Sequence, residues 1–106
     1  MLEYTIQEND QAINVLLRGD LDFESTEIVQ DDLIHQIPSQ RTCVLDFEDV
    51  AFVDSTGLGL LIQLVKKLKE NESFIQIIHV NEDILNVFEL VQIEEIIGES
   101  VIIKEM

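Results

Sequence analysis

Between Leu45 and Leu68 the sequence passes from an apolar, strand-like stretch, through Asp54-Ser55-Thr56-Gly57-Leu58-Gly59, into an amphipathic helix. Asp54, Ser55 and Thr56 carry short side-chain oxygens that can accept from the free N–H groups of a first helical turn. Behind them Leu58, Leu61, Ile62, Val65 and Leu68 recur at helical spacing, which predicts a helix from about Ser55 to Glu70 with one apolar face. Gly57 and Gly59 each cost up to about 1 kcal/mol relative to alanine inside a helix. Their presence predicts that another backbone, or a partner, comes close there.

The rest of the chain arranges itself around that passage. Leu2 to Glu8 alternates apolar and polar residues, a half-buried strand, and Ala12 to Arg18 reads as its hairpin partner across Asn9-Asp10. Gly19-Asp20-Leu21-Asp22 then leads to Ser25, a plausible N-cap for a first helix from about Thr26 to Gln36, with Val29, Leu33, Ile34 and Ile37 inward. Pro38 ends it. Thr42 to Phe47 is mostly apolar and predicts a central strand covered on both faces. Phe74 to Val80 predicts another strand. Asn81 caps a third helix, about Glu82 to Val91, whose Ile84, Leu85, Phe88 and Val91 form a stripe. Ile93 to Ile97 is ambiguous, and Val101 to Ile103 fits a last short strand. A hairpin followed by alternating helices and strands calls for an α/β fold: a mixed sheet of four to five strands with three or four helices packed on it. Functional groups in such folds sit beyond the carboxyl ends of parallel strands, where Ser55 falls. The turn from Gly19 to Asp22 fits the same edge.

Size and charge narrow the function classes. The 106 residues, 46% apolar, suit one domain with one core. The net charge of −16 argues against nucleic-acid binding and favours a basic patch on a protein partner. Neither a signal peptide nor a membrane span is expected, because the longest apolar stretch is broken by Gln63 and closed by Lys66-Lys67. The single Cys43 lies in an apolar run and reads as an inert core thiol, in keeping with a cytoplasmic protein. Lys66, Lys67 and Lys69 suit the C-terminal end of a helix dipole. His35 and His79 show no metal spacing and read as solvated and core-edge residues, so no metal site is expected. The acidic residues lack a calcium-loop register.

Gly19-Asp20-Leu21-Asp22, then Leu45-Asp46-Phe47-Glu48-Asp49-Val50, then Phe52-Val53-Asp54-Ser55-Thr56-Gly57-Leu58-Gly59, together resemble an anti-sigma factor antagonist, a STAS-domain protein, over nearly the whole chain (1–106). The resemblance implies a bacterial partner switch, of the kind used in stress response and sporulation, with no enzyme activity and no cofactor of its own. The unmodified antagonist would bind an anti-sigma factor that is also a GHKL-type serine kinase, and so release a sigma factor. The kinase would phosphorylate Ser55 and block binding, and a metal-dependent serine phosphatase would reverse it. The chain would act as a monomer or weak dimer. It departs from the pattern after the third helix, where Val91-Gln92-Ile93 stands in place of a glycine turn.

The residues have plainer readings beside these. From spacing alone Ser55 is a helix cap; the companion glycines and the resemblance make it the phospho-acceptor, with Thr56 the alternative. Asp54 either positions that hydroxyl and helps bind the kinase or stabilises the helix dipole, and both readings stand. Asp20 and Asp22 are turn residues or a lip of the binding surface. Counting around the helix puts Thr56, Leu60, Gln63 and Lys67 opposite the core stripe, so Leu60 beside Gly57 and Gly59 is expected to form an exposed apolar spot, partner surface together with Leu58. Two other functions compete: a STAS scaffold subunit of a larger signalling assembly, and a receiver-like aspartate acceptor at Asp46 or Asp54. The opening hairpin and the Ser-Thr-Gly turn argue against the receiver. No P-loop pattern is present to suggest nucleotide chemistry.

Overall fold

Alternation at the N-terminus produces a hairpin. In the computed structural model, which describes residues 1–104, β1 (Glu3–Glu8) and β2 (Ala12–Leu21) pair antiparallel, with Glu3 opposite Arg18 and Glu8 opposite Ile13. Asn9 closes the turn, its side-chain oxygen accepting from the backbone N–H groups of Gln11 at 2.8 Å and Ala12 at 2.9 Å. β3 (Thr42–Val53) runs parallel to β2, and β4 (Phe74–Ile78) parallel to β3, in the order β1-β2-β3-β4. The expected last strand is reduced to one parallel bridge between Ile102 and Ile77. Parallel neighbours need crossovers. A helical segment over residues 23–36 supplies the first, ending in α1 (Ile34–Gln36), and α2 (Ser55–Glu70) supplies the second. After β4 come α3 (Glu82–Leu90), capped by Asn81, and α4 (Ile93–Ile97), which resolves the ambiguous stretch as helix. The mixed α/β sheet is as the sequence predicts.

β3 is longer than its sequence suggests. Cys43, Leu45 and Phe47 are buried at every second position, and then Val50 and Val53 are buried at every third. The register with β2 slips twice: Leu16 faces Asp46 but Arg18 faces Asp49, and Gly19 faces Val50 but Asp20 faces Phe52. Each slip puts one extra residue on β3, a bulge that returns the chain's apolar side chain to the core one position late. Glu48-Asp49 therefore interrupts the sequence alternation without ending the strand. The expectation that this strand is covered on both faces is corrected. Thr42, Val44 and Asp46 are only half-buried, so the core lies on one face.

The first helical segment also differs from its sequence reading. Asp22, not Ser25, is the N-cap: its carboxylate accepts from Glu24 N, while the Ser25 hydroxyl accepts from Asp22 N at 3.1 Å. Ser25 is buried as the return half of a capping box. The segment continues as a 3₁₀ turn (Phe23–Ser25), then a π-helical stretch (Ile28–Leu33), then α1.

Beneath the sheet, Leu61, Val65 and Leu68 of α2 join Ile13, Val15 and Leu45 in the core. Each fully buried aliphatic side chain contributes about 1.5–3 kcal/mol. Phe47 meets Phe88 edge-to-face at 6.4 Å between ring centroids, which ties α3 to β3. Ile84 and Phe88 of the α3 stripe are buried, but Val91 is 40% exposed. Cys43 is fully buried, and burial pushes its thiol up to about 12, as an inert core thiol should behave.

Candidate functional site

The C-terminal ends of β2 and β3 meet the first turn of α2, and Asp54 holds the junction together. Its backbone is extended, so it stands just outside the helix as the N-cap. One carboxylate oxygen accepts from Gly57 N at 2.7 Å, and the other faces Phe23 N at 3.4 Å. Its own N–H donates to Leu21 O at 3.2 Å, and its carbonyl accepts from Leu58 N at 2.8 Å. One residue thus joins β2's end, the first helical segment and α2.

Gly57 is the reason that junction can close. A Cβ there would lie 1.8 Å from Leu21 O, so only glycine lets β2's backbone rest against the helix. Of the two explanations for the glycines, another backbone accounts for Gly57. Gly59 is different. A Cβ there would meet nothing within 4 Å, so its missing side chain serves no internal contact and leaves open surface.

Ser55 is the first residue of α2, exposed, and its hydroxyl makes no hydrogen bond among the described residues. The reading of Ser55 as the helix cap is corrected, since Asp54 occupies that role. Thr56 is also exposed, one position on. Asp20 is half-buried, and its carbonyl accepts from the Ser25 hydroxyl at 2.9 Å. Asp22 is half-buried and occupied as a cap, the plainer of its two readings. The fold brings Asp20, Asp22, Asp54, Ser55, Thr56 and Gly59 to one edge.

Leu60 is corrected outright. It is 3% exposed, as is Leu64, and both line a groove with Val29 and Ile34 of the first helical segment. The helical count is corrected with it: Leu60 joins Leu61, Leu64, Val65 and Leu68 on the buried side of α2, at the flank where the first helical segment packs. Leu58 is buried as well. The exposed apolar surface comes instead from two residues that sequence reasoning passed over. Phe23 is 70% exposed and Phe52 is 52% exposed. Phe23 follows the Asp22 cap with its N–H at Asp54, and Phe52 sits opposite Asp20 in the β2–β3 register. No signal in the sequence marks them, because aromatic residues beside strand ends are ordinarily core.

A second cluster was also unforeseen. His79, which read as an isolated core-edge residue, is exposed, and its Nδ1 lies 2.9 Å from Asp46 Oδ1. Glu48 completes a group of three possible ligand side chains. The lysines of α2 behave more plainly. Lys67 pairs with Glu70 at 3.9 Å, and Lys69 donates to Ile97 O at the end of α4.

Comparisons with known proteins agree with this fold. The chain is 23% identical over 95 residues to the anti-sigma-B factor antagonist of Bacillus subtilis (strain 168), covering 90% of this chain and 87% of that protein. Among solved structures, the anti-sigma factor antagonist SpoIIAA in its unphosphorylated form superposes with a TM-score of 0.65 at 17% identity, covering 98% of this chain and 90% of that one. The phosphorylated form of SpoIIAA superposes with a TM-score of 0.63 at 18% identity, covering 98% and 92%. A murine solute carrier family 26 anion transporter gives a TM-score of 0.79 at 22% identity, covering 94% of this chain but 17% of the transporter. No helix among the described residues is long and apolar enough to cross a membrane. The STAS domain family model matches residues 3–105, and the chain therefore belongs to the STAS domain family.

Proposed function

We propose that this chain is an anti-sigma factor antagonist controlled by phosphorylation of Ser55. In its unmodified form it binds an anti-sigma factor that is also a GHKL-type serine kinase, and thereby frees a sigma factor in the cytoplasm. The whole of residues 1–106 acts as one STAS domain without catalytic activity of its own. The observation that carries this reading is the division of labour at the start of α2: Asp54 does the capping, and the exposed Ser55 hydroxyl has no hydrogen bond among the described residues. The antagonist names of relatives that align along nearly the full chain support it. The STAS fold also serves within a transporter, so fold alone favours neither the antagonist nor the scaffold role.

Phosphate on Ser55 adds about −1.5 to −2 charges. At the N-terminus of α2 the free N–H groups and the helix dipole accommodate it, so the fold persists. What changes is the surface, where the new dianion stands beside the Asp54 carboxylate. A partner built around a neutral hydroxyl, the open Gly59 and the exposed Phe23 and Phe52 loses its fit. Asp20 and Asp22 form the lip of that surface, and a serine phosphatase restores binding.

Pull-down from the native organism with wild type, Ser55→Ala and Ser55→Asp tests the proposal. A GHKL-type kinase retained by the first two and lost with the third is the expected result. Recovery of the same assembly by all three, or of nothing, would favour the scaffold role and return Ser55 to a structural residue. Acid-stable phosphate on the wild type, absent from Ser55→Ala, separates Ser55 from Thr56 and from an acyl phosphate on Asp46 or Asp54.

A further inference from the structure

We propose that Asp46, Glu48 and His79 form a binding site for a divalent transition metal of the zinc class. The three side chains come from two strands that the parallel register places side by side. Asp46 faces Ile78 across the β3–β4 ladder, and His79 is the next residue after that partner. Glu48 follows Asp46 on the same strand. One ligand atom from each side chain lies within 4.8 Å of the other two, and the His79 Nδ1 to Asp46 Oδ1 contact is 2.9 Å.

That spacing suits one ion. Zinc binds imidazole nitrogen and carboxylate oxygen at about 2.0–2.2 Å, so neighbouring ligands of a tetrahedral ion stand about 3.3–3.5 Å apart. The Asp46–His79 pair need open only slightly, and the exposed Glu48 side chain closes the remainder by rotation. A fourth position is left for water or a partner's ligand. Asp46 is already oriented: its carboxylate accepts from Glu48 N at 2.9 Å, the kind of outer hydrogen bond that aims a metal-binding carboxylate. The Asp46 side chain is 18% exposed and that of His79 is 41% exposed, so an ion reaches the site from solvent while one ligand is held by the fold. The imidazole nitrogen sets the metal class, because calcium and magnesium prefer all-oxygen ligation. The chain's −16 charge concentrates cations nonspecifically, which makes the histidine the discriminating ligand.

The test is isothermal titration of the full chain with Zn²⁺, together with visible absorption spectra on titration with Co²⁺. Wild type is expected to take up one ion saturably and to give a Co²⁺ d–d spectrum. His79 has a φ of 59°, a backbone conformation that asparagine also tolerates, so His79→Asn removes the imidazole with little strain. His79→Asn and the exposed-site variant Glu48→Gln are each expected to weaken Zn²⁺ binding at least about tenfold. His35→Asn is expected to leave it unchanged. Circular dichroism melts establish that each variant is folded. Equal Zn²⁺ binding by wild type and His79→Asn would overturn the proposal in favour of diffuse acidic binding. So would Ca²⁺ binding at the same strength, or the absence of a saturable site in wild type.

Discussion

Two turns into helices are built in opposite ways. At the start of α2, Asp54 caps with its side chain, Gly57 admits the backbone of Leu21, and Phe23 N–H reaches the same carboxylate. At the start of α4, Gln92 adopts a left-handed conformation with φ of 54° and makes no side-chain cap. Around it Leu90 is 83% exposed, Val91 40% and Ile96 44%. The first turn over-determines its geometry and leaves the hydroxyls of Ser55 and Thr56 without a hydrogen bond among the described residues. The second tolerates local strain. A surface that must present one serine in one position needs the first kind of turn; a connection between α3 and α4 does not.

That contrast breaks most readily at the α2 end. Leu60→Ala empties a buried site between α2 and the first helical segment, and is expected to cost about 2–5 kcal/mol in urea denaturation. A change below about 0.5 kcal/mol would mean that Leu60 is surface after all. Gly57→Ala is expected to cost about 1–3 kcal/mol or more, because Leu21's carbonyl must move, whereas Gly59→Ala is expected to stabilise by up to about 1 kcal/mol. Similar values for the two glycines would remove the distinction drawn between them.

Smaller effects sharpen the comparison. Asp54→Ala loses the cap and is expected to cost about 1 kcal/mol, while Ser55→Ala stays within about 0.5 kcal/mol of wild type. The reverse order would put the cap back on Ser55. At the α4 turn, Gln92→Gly relieves the left-handed conformation and is expected to raise stability by about 0.5–1 kcal/mol. Destabilisation there would show that the glutamine side chain makes a contact that the turn needs.

Much of the architecture was legible because its signals are local. The α2 span from Ser55 to Glu70 follows from helical periodicity and a run of capping residues. Asn81 capping α3 and the hairpin across Asn9 are equally short-range. Legibility failed where two segments compete for one role. Ser25 and Asp22 are both good caps, and which of them takes the position depends on how β2 delivers the chain. It failed again along β3, where bulges change the period of burial from two to three and hide the strand's second half.

The sequence by itself determined that a serine stands at the mouth of an amphipathic helix after a strand, since capping and periodicity act over three or four residues. Only the tertiary structure decided which residues around that serine are surface. Leu60 is buried because a helix some thirty residues earlier in the chain, carrying Val29 and Ile34, lies over it. Phe23 and Phe52 are exposed because a cap and a bulge turn them outward. His79 meets Asp46 because parallel pairing sets β4 beside β3. Each outcome depends on contacts between residues distant in sequence, and local side-chain patterns carry no record of them.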